Sequence, residues 1–452
     1  MRSGIQILFG IAVFILSLSA PATAELRVGV FDVDASPPIG SPLAYDPTKE
    51  VTSPLSFRGI VIFGSGTPIV LCAVDWIGIA NAGQDAFKSR IAAAVETPQN
   101  RVVVHTLHQH DAPRCDFSVE ELLREYDLSG TGFDPAFAHD VAQRAAVAVK
   151  KALDEAQPVT HMGTGTGIIE KVASNRRILG EDGKVIHVRY TATKDPKLRA
   201  FPAGTIDPEL KLLSLWNGEK PIVALSWYAT HPQSYYRTGG ANPDFPGIAR
   251  NMRQTSTGVP HVHFNGAGGN IGAGKWNDGS HENRQILADR VAAGMKKAWD
   301  STKKTPVTAE DVAWDFEPVV LPAAPHLDKK TLLAELADEK ATPAARWAAG
   351  SNLHWLRRCL EKDTIDIACL SIGKARVLHM PGELFVEYQL SAQKLRPDLF
   401  VAMAAYGDYA PGYIGTEIAY GQGGYETSPR ASRVAPSVEK TLMDAVKKLL
   451  KK

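Results

Sequence analysis

The chain has 452 residues, and its 50 Lys and Arg residues nearly balance its 49 Asp and Glu residues, which leaves a formal net charge of +1. This balance excludes the strongly basic class of nucleic-acid-binding proteins and gives no sign of attraction to an anionic membrane. We find neither an internal repeat nor a low-complexity tract. The sequence therefore predicts one large domain.

The first 24 residues predict a secretory signal peptide. They contain one Arg near the start, an apolar run from Ile5 to Leu18 and an Ala-x-Ala site that ends at Ala24, as signal peptides do. The apolar run is short for a membrane span of roughly 20 residues, and no later segment is long and apolar enough to cross a bilayer. We expect a soluble domain over residues 25–452, exported to the periplasm or secreted.

Apolar runs of strand length alternate with amphipathic helices along this domain. The predicted strands are 68–79, 101–106, 220–231 and the start of 375–396. The stretch 260–274 is predicted to be a strand that runs into a Gly-rich loop, and 398–415 a strand that enters a Gly/Tyr-rich loop. The predicted helices are 83–96, 134–156, 281–301 and the end of 375–396. This alternation predicts an α/β fold of layered sheets and helices. The charged, Ala-rich segment 328–362 predicts a pair of helices inserted beside the main domain.

The four cysteines do not form a zinc motif. Cys72, Cys115, Cys359 and Cys369 include no C-x-x-C pair. In an oxidising compartment Cys359 could bridge Cys369, and Cys72 could bridge Cys115. The sequence does not decide between bridged and free thiols.

Polar side chains follow several predicted strands at the point where each strand ends. The stretch "VVVHTLHQHDAP" runs from three valines into His105, His108 and His110, and burying an imidazole costs free energy unless it finds a partner. The carboxyl ends of strands in open α/β sheets form the ligand crevice. His231, Glu383 and Tyr413 also follow strands and complete a set in which we expect a metal site.

Four motifs resemble a known family. They are "LHQHDAP", "WYATHPQS", "MPGELF" and "GYIGTEIAYGQGGYE". In this order, the chain from about residue 28 onward resembles the catalytic domain of the neutral ceramidases, zinc-dependent amidases that cleave the amide of N-acylsphingosine. The resemblance implies Zn²⁺ held by His108, His231, Glu383 and Tyr413. Imidazole and carboxylate oxygen are ordinary zinc ligands, and zinc activates water at neutral pH.

The resemblance also implies residues that act on the substrate. His110, the second histidine of the "HQH" motif, would carry a proton or steady the oxyanion. "SNRRIL" places a substrate-contacting arginine at Arg176, and Tyr425 corresponds to a second substrate-facing tyrosine. The implied activity is a zinc-dependent, ceramidase-like amidohydrolase that cleaves an N-acyl amide with metal-activated water.

Two departures from the family leave alternatives open. The serine proposed as the family's nucleophile falls on about Gly266, and no Ser lies between residues 258 and 279. The family's C-terminal immunoglobulin-like domain has no counterpart in this sequence. One alternative is a zinc hydrolase of another lipid or glycan amide or ester. The other is a metal-bearing binding protein without catalysis.

Each candidate residue also has a structural interpretation. His105 is expected to be a satisfied core or supporting histidine, and Glu383 could serve only as a first-turn acid favoured by a helix dipole. Arg176 and Arg177 could be a pair of solvent-exposed cations. Asp75 could hydrogen-bond to a metal-binding histidine without binding the metal itself. "GAGGNIGAG" matches no phosphate-loop spacing.

The expected partner is a small-molecule or lipid amide substrate. A lipid substrate would bring transient contact with a membrane surface. No nucleic acid is expected, and no feature of the sequence indicates a protein partner.

Overall fold

The computed structural model describes residues 25–64 and 66–451. The predicted signal peptide therefore lies outside the described residues. The helices are α1 Ala82–Ala94, α2 Phe117–Arg124, α3 Pro135–Asp154, α4 Pro196–Ala200, α5 Asp244–Thr257, α6 Glu282–Asp300, α7 Lys329–Ala337, α8 Pro343–Glu361, α9 Val386–Leu395, α10 Glu417–Gln422 and α11 Val438–Leu450.

The strands confirm most of the predicted positions, although several predicted runs divide into two short strands. They are β1 Arg27–Asp34, β2 Glu50–Val51, β3 Ser56–Phe63, β4 Ile69–Val74, β5 Gly78–Ile79, β6 Val102–Thr106, β7 Arg114–Cys115, β8 Gln157–Pro158, β9 His161–Ile168, β10 Ser174–Asn175, β11 Arg177–Leu179, β12 Val185–Val188, β13 Glu209–Asn217, β14 Lys220–Tyr228, β15 Gly240–Ala241, β16 His261–Asn265, β17 Ile271–Gly272, β18 Lys303–Pro306, β19 Val312–Val319, β20 Ile365–Ile372, β21 Ala375–His379, β22 Glu383–Leu384, β23 Phe400–Ala404 and β24 Tyr413–Ile414.

Three larger sheets carry the fold. Their strand orders are β6-β4-β3-β1-β8, β16-β14-β13-β9-β18 and β19-β20-β21-β23. Each sheet is antiparallel except for one parallel pair at its edge: β4 with β6, β14 with β16, and β21 with β23. Two parallel neighbouring strands need a crossover connection. Helix α1 lies in the connection from β4 to β6, α5 in that from β14 to β16, and α9 in that from β21 to β23.

The three sheets share one apolar interior. Leu71 of the first sheet, Leu225 and Val262 of the second, and Leu370 and Val377 of the third belong to the same buried cluster. Each such side chain contributes roughly 1.5–3 kcal/mol when it is fully buried. Helices α1 and α3 contact the first sheet, α5 and α6 the second, and α9 and α11 the third. The predicted α/β layered fold is confirmed.

The packing brings the parallel pairs together. Strand β16 contacts β4 and β6 of the first sheet and β23 of the third. The carboxyl ends of β6, β14, β21 and β23 consequently lie near a common centre, and the loops that leave them carry the predicted site residues.

Helix starts follow the expected capping chemistry. Asp134 caps α3 by accepting a hydrogen bond from the Phe137 amide at 3.0 Å, with Pro135 at the first helical position, an arrangement that favours helix initiation. Segment 328–362 forms α7 and α8, which pack against each other.

No helix among residues 25–64 and 66–451 is long and apolar enough to span a bilayer.

Candidate metal centre

Each predicted metal ligand comes from a different strand end. His108 lies two residues beyond β6, and His231 lies three residues beyond β14. Glu383 and Tyr413 face each other in the parallel register of β22 and β24, which follow β21 and β23. The prediction that these residues lie at the carboxyl ends of strands agrees with the structure.

Three of these side chains aim ligand atoms at one point. Glu383 Oε2 lies 3.2 Å from His108 Nε2 and 3.6 Å from His231 Nδ1. All three residues are 1 % exposed, and none of the three atoms has a hydrogen-bond partner. Unpaired buried polar atoms are costly. Their convergence fits a cation, and two imidazoles with a carboxylate form a donor set that Zn²⁺ accepts.

The other imidazole nitrogens are engaged by hydrogen bonds. His108 Nδ1 lies 2.6 Å from the Ile77 carbonyl oxygen, so Nδ1 carries the proton and Nε2 presents its lone pair. His231 Nε2 lies 2.9 Å from His110 Nε2, and His110 Nδ1 lies 3.1 Å from the Tyr45 hydroxyl. If His231 Nδ1 binds a metal, its Nε2 donates to His110. Partners of this kind fix the tautomer of metal-binding histidines.

A second candidate donor set includes His110. Nitrogens of His108, His110 and His231 all lie within 4.8 Å of one another. We favour Glu383 over His110 as the third ligand for two reasons. Both nitrogens of His110 already have hydrogen-bond partners, whereas Glu383 Oε2 has none. Glu383 also supplies a negative charge to the cation.

The backbone at His108 is strained. Its φ is +66°, a left-handed conformation that a non-glycine residue adopts at a cost of order 1–3 kcal/mol. The His108 amide donates to the Trp76 carbonyl at 2.9 Å and holds this conformation. The strain turns the imidazole toward Glu383 rather than along the strand.

Two tyrosines that the sequence analysis did not single out support the ligands. The Tyr409 hydroxyl donates to Glu383 Oε1 at 2.6 Å, and the Tyr406 ring stacks on His108 with 4.7 Å between centroids. Tyr45 is a third missed residue, through its contact with His110. Tyr406 and Tyr409 belong to the Gly/Tyr-rich end of the predicted strand 398–415, which is the signal that could have indicated them. Tyr45 has no such signal.

Arg176 is a buried partner of Tyr413. Its Nη1 donates to the Tyr413 hydroxyl at 3.0 Å, and its Nε lies 3.1 Å from Glu426 Oε1. Arg176 and Arg177 are both buried, so the interpretation as a solvated pair is wrong. The half-buried Tyr425 ring lies 5.7 Å from the Tyr413 ring and 5.6 Å from the Arg176 guanidinium. The structure thus places Arg176 and Tyr425 beside the candidate centre.

The glycine-rich loop after β16 packs against the Glu383 strand. The Gly269 amide donates to the Leu384 carbonyl at 2.7 Å, and a Cβ at Gly269 would lie 2.2 Å from the Glu383 carbonyl oxygen. Asn270 Oδ1 accepts from the Val386 amide at 2.9 Å. The close approach needs glycine and fixes the backbone that carries Glu383.

Gly266, where the family's serine was expected, is closely packed. A Cβ at Gly266 would lie 2.4 Å from Gln389 Oε1 and 3.1 Å from the Ala229 amide nitrogen. Glycine at this position is therefore part of the packing between β14, β16 and α9. A serine here would require the Gln389 side chain to move and the Ala229 backbone to give slightly.

The electrostatics of the cluster suit a bound cation. Burial, with a smaller contribution from His108, lowers the pKa of His110 and of His231 well below the usual histidine range. Burial alone would raise the pKa of Glu383, but His108, Tyr409 and Arg176 together lower it. The His110 and His231 imidazoles are therefore neutral and the Glu383 carboxylate is ionised at neutral pH, which is the state in which such groups bind metal. Burial raises the pKa of Tyr413, and Arg176 opposes that shift.

Other candidates have structural roles. His105 Nδ1 donates to the Ala405 carbonyl at 2.7 Å, and its Nε2 lies 3.0 Å from His379 Nδ1, as expected for a satisfied core histidine. Asp75 does not support a metal ligand. It forms a buried two-point ion pair with Arg250 at 2.7 and 2.9 Å, because Arg250 reaches it from α5.

None of the suggested disulfides is present. Cys72, Cys115, Cys359 and Cys369 are all free. Burial raises the pKa of Cys359 to about 11 and that of Cys369 to about 12. These thiols are therefore weak nucleophiles and poor metal ligands at neutral pH.

No model of a known protein family matches the sequence, and no curated protein matches it at a significant level. Solved structures do match. One is described as a ceramidase complexed with C2, and another as neutral ceramidase from Pseudomonas aeruginosa. Each is 16 % identical to this chain with a TM-score of 0.67, over 95 % of this chain and 76 % or 75 % of the other. This likeness shows that the chain has the neutral-ceramidase fold, as its motifs predicted.

Proposed function

We propose that this protein is a zinc-dependent amidohydrolase that cleaves an N-acyl amide, with a lipid amide as the substrate class. The observation that carries the proposal is the convergence of three unpartnered buried ligand atoms, His108 Nε2, His231 Nδ1 and Glu383 Oε2. The shared fold with two structures described as ceramidases supports the amide as the bond that is cleaved.

His108, His231 and Glu383 would hold the zinc ion, with Tyr413 as the fourth proposed ligand. Zinc, when bound, supplies Lewis acidity toward a carbonyl oxygen and toward water. The protein contributes a buried, preorganised donor set. Ile77 orients His108, and Tyr409 orients Glu383. Such partners make the ligands more basic and hold their geometry.

His110 is the proposed proton carrier. It lies between His231 and Tyr45, in contact with both, and its pKa is lowered by burial. A neutral imidazole can accept a proton from the attacking water and return it to the leaving amine. His231 Nε2 and the Tyr45 hydroxyl hold the His110 ring from its two nitrogens, so proton transfer through His110 requires one of these two contacts to open.

Arg176 and Tyr425 are the proposed groups for substrate oxygens. Burial alone would lower the pKa of Arg176, but Tyr413 and Glu426 raise it, so the guanidinium stays cationic. A fixed cation in a water-poor site stabilises the negative charge that develops on an acyl oxygen. The Tyr425 hydroxyl is the proposed second donor.

The test is turnover of a labelled ceramide. We expect release of fatty acid by the purified protein, loss of release with a chelator, and recovery with Zn²⁺. The variant His108→Ala should lose activity, whereas the exposed His187→Ala, matched in residue type, should keep it. Chelator-resistant release would refute the metal dependence. A folded protein without any turnover would favour the binding-protein alternative, for which Gly266 in place of the serine is the supporting observation.

A further inference from the structure

Two adjoining cavities border the candidate metal centre. They have volumes of about 630 Å³ and 230 Å³, and both are lined by Tyr45, Arg114, Ala344 and Trp347. We call them together the Arg114 groove. Its floor contacts the centre twice, because Tyr45 touches His110 and Tyr409 touches Glu383. The Tyr45 and Tyr409 side chains therefore form the boundary that the groove shares with the proposed centre.

The walls of the groove are largely apolar. Pro42, Leu43 and Pro47 form one side, and Ala344 and Trp347 of α8 form the other. Helices α7 and α8 are the predicted insertion 328–362, so this insertion supplies one wall. Apolar walls with a few polar groups are typical of small-molecule sites, and these walls suit the hydrocarbon of an amphiphilic ligand.

Arg114 is a cation without a carboxylate partner. Among the described residues, its Nη2 donates to the Ala44 carbonyl and its guanidinium lies 5.9 Å from the Trp347 ring centroid, but no carboxylate lies within ion-pair distance. Its Nε is enclosed and has no hydrogen-bond partner. Enclosed charges in proteins are normally paired, so an unpaired guanidinium in a groove indicates an anion from outside the chain.

Arg237 adds a second cation on the same groove. Its guanidinium lies 5.2 Å from the Tyr45 ring centroid. Asp46 also lines the groove, but among the described residues it forms no ion pair with Arg114 or Arg237. With Arg433 and Asp116, which line the smaller cavity, the groove holds three guanidiniums against two carboxyl groups and so has an excess of positive charge. Guanidinium is the side chain best suited to a carboxylate, which it can bind at two points.

We propose that the substrate is an N-acyl amide whose amine portion carries a carboxylate, and that Arg114 with Arg237 binds this carboxylate. This inference rests on the proposed amidohydrolase function and ranks N-acyl amino acids above neutral lipid amides, such as ceramide, as substrates. In the reaction the acyl C–N bond breaks and a C–O bond forms from water. One water proton goes to the amine nitrogen, which leaves a fatty acid and a free amino acid.

The test compares two substrates that differ only in charge. N-lauroylglycine carries the carboxylate, and N-lauroylglycinamide is its neutral twin. We expect kcat/KM to favour the acid by roughly 10- to 100-fold, the range for a hydrogen bond to a charged group. Arg114→Gln should abolish this preference, Arg237→Gln should weaken it, and Arg114→Lys should keep part of it. The control Arg144→Gln, at a half-buried arginine paired with Asp140 on α3 and away from the groove, should leave it unchanged.

Binding separates this inference from the proposed function. The affinity of the chelator-treated protein for N-lauroylglycine is measured by calorimetry for the wild type and for Arg114→Gln. Arg114-dependent binding without any turnover would refute the amidohydrolase and keep the anion site. Hydrolysis of both substrates at equal rates, or a preference that survives in Arg114→Gln, would keep the amidohydrolase and overturn the inference. The melting temperature of each variant shows that it is folded.

Discussion

Tyr409→Phe tests whether Tyr409 orients Glu383 for the proposed metal. The substitution keeps the ring, which packs 5.3 Å from the His108 ring, and removes only the hydroxyl that donates to Glu383 Oε1 at 2.6 Å. A donor this close to a carboxylate forms a charge-assisted hydrogen bond. Without it, Oε1 loses its partner and the carboxylate can turn away from His108.

The expected magnitude follows from this one bond. A hydrogen bond to a charged group contributes about 1.5–3 kcal/mol, and each 1.4 kcal/mol is about tenfold in affinity. Zinc affinity should therefore fall by roughly 10- to 100-fold, the range for residues that support metal ligands. The dissociation constant is measured by competition with a chromophoric chelator. Tyr420→Phe is the control, because its hydroxyl contacts Ser432 and not the centre.

An unchanged zinc affinity in Tyr409→Phe, with the control also unchanged, would show that Glu383 needs no support from Tyr409. The ligand set would then have to be reconsidered with His110 in place of Glu383. If the melting temperature fell together with the zinc affinity, the weaker binding would result from a destabilised fold instead. The account predicts lower affinity with a nearly unchanged melting temperature in the metal-free protein.

Three further predictions concern the scaffold. Asp75→Asn leaves Arg250 as an unpaired buried cation and should lower the free energy of unfolding by about 3–5 kcal/mol in chemical denaturation; an effect below 1 kcal/mol would contradict the pairing. Burial alone would raise the pKa of Asp75, but Arg250 holds it below its usual range. The stability that the Asp75–Arg250 pair contributes is therefore present above pH about 4 and is lost as pH falls through the lower pKa of the folded state. The Asp75→Asn variant should not show this loss of stability at low pH. Gly266→Ser should lower the melting temperature without raising turnover, because its Cβ meets Gln389; higher turnover would revive the serine route.

The sequence predicted the parts of the fold that depend on local pattern. The runs 101–106 and 220–231 are largely apolar on both faces, as is typical of buried strands, and the structure has strands β6 and β14 at these positions. The position of polar residues after these strands also located His108, His231, Glu383 and Tyr413, since strand ends are a property of the chain itself. The motif resemblance to ceramidases agrees with the fold.

The remaining features depend on contacts between distant segments. Tyr45 reaches His110 across 65 residues, and Arg250 reaches Asp75 across 175, and no local pattern encodes either distance. The burial of Arg176 and Arg177 follows from Glu426, which meets both guanidiniums. The free state of the cysteines likewise depends on how the helices and sheets pack around them.

The most direct test of the central claim is the metal content of three purified variants beside the wild type. The account predicts one zinc per chain in the wild type, loss of zinc in His108→Ala and in Glu383→Gln, and retention in His110→Ala, because His110 carries protons rather than metal. Zinc that is lost in His110→Ala and kept in Glu383→Gln would contradict the proposed ligand set. A wild-type protein that binds no zinc at all would contradict the account as a whole.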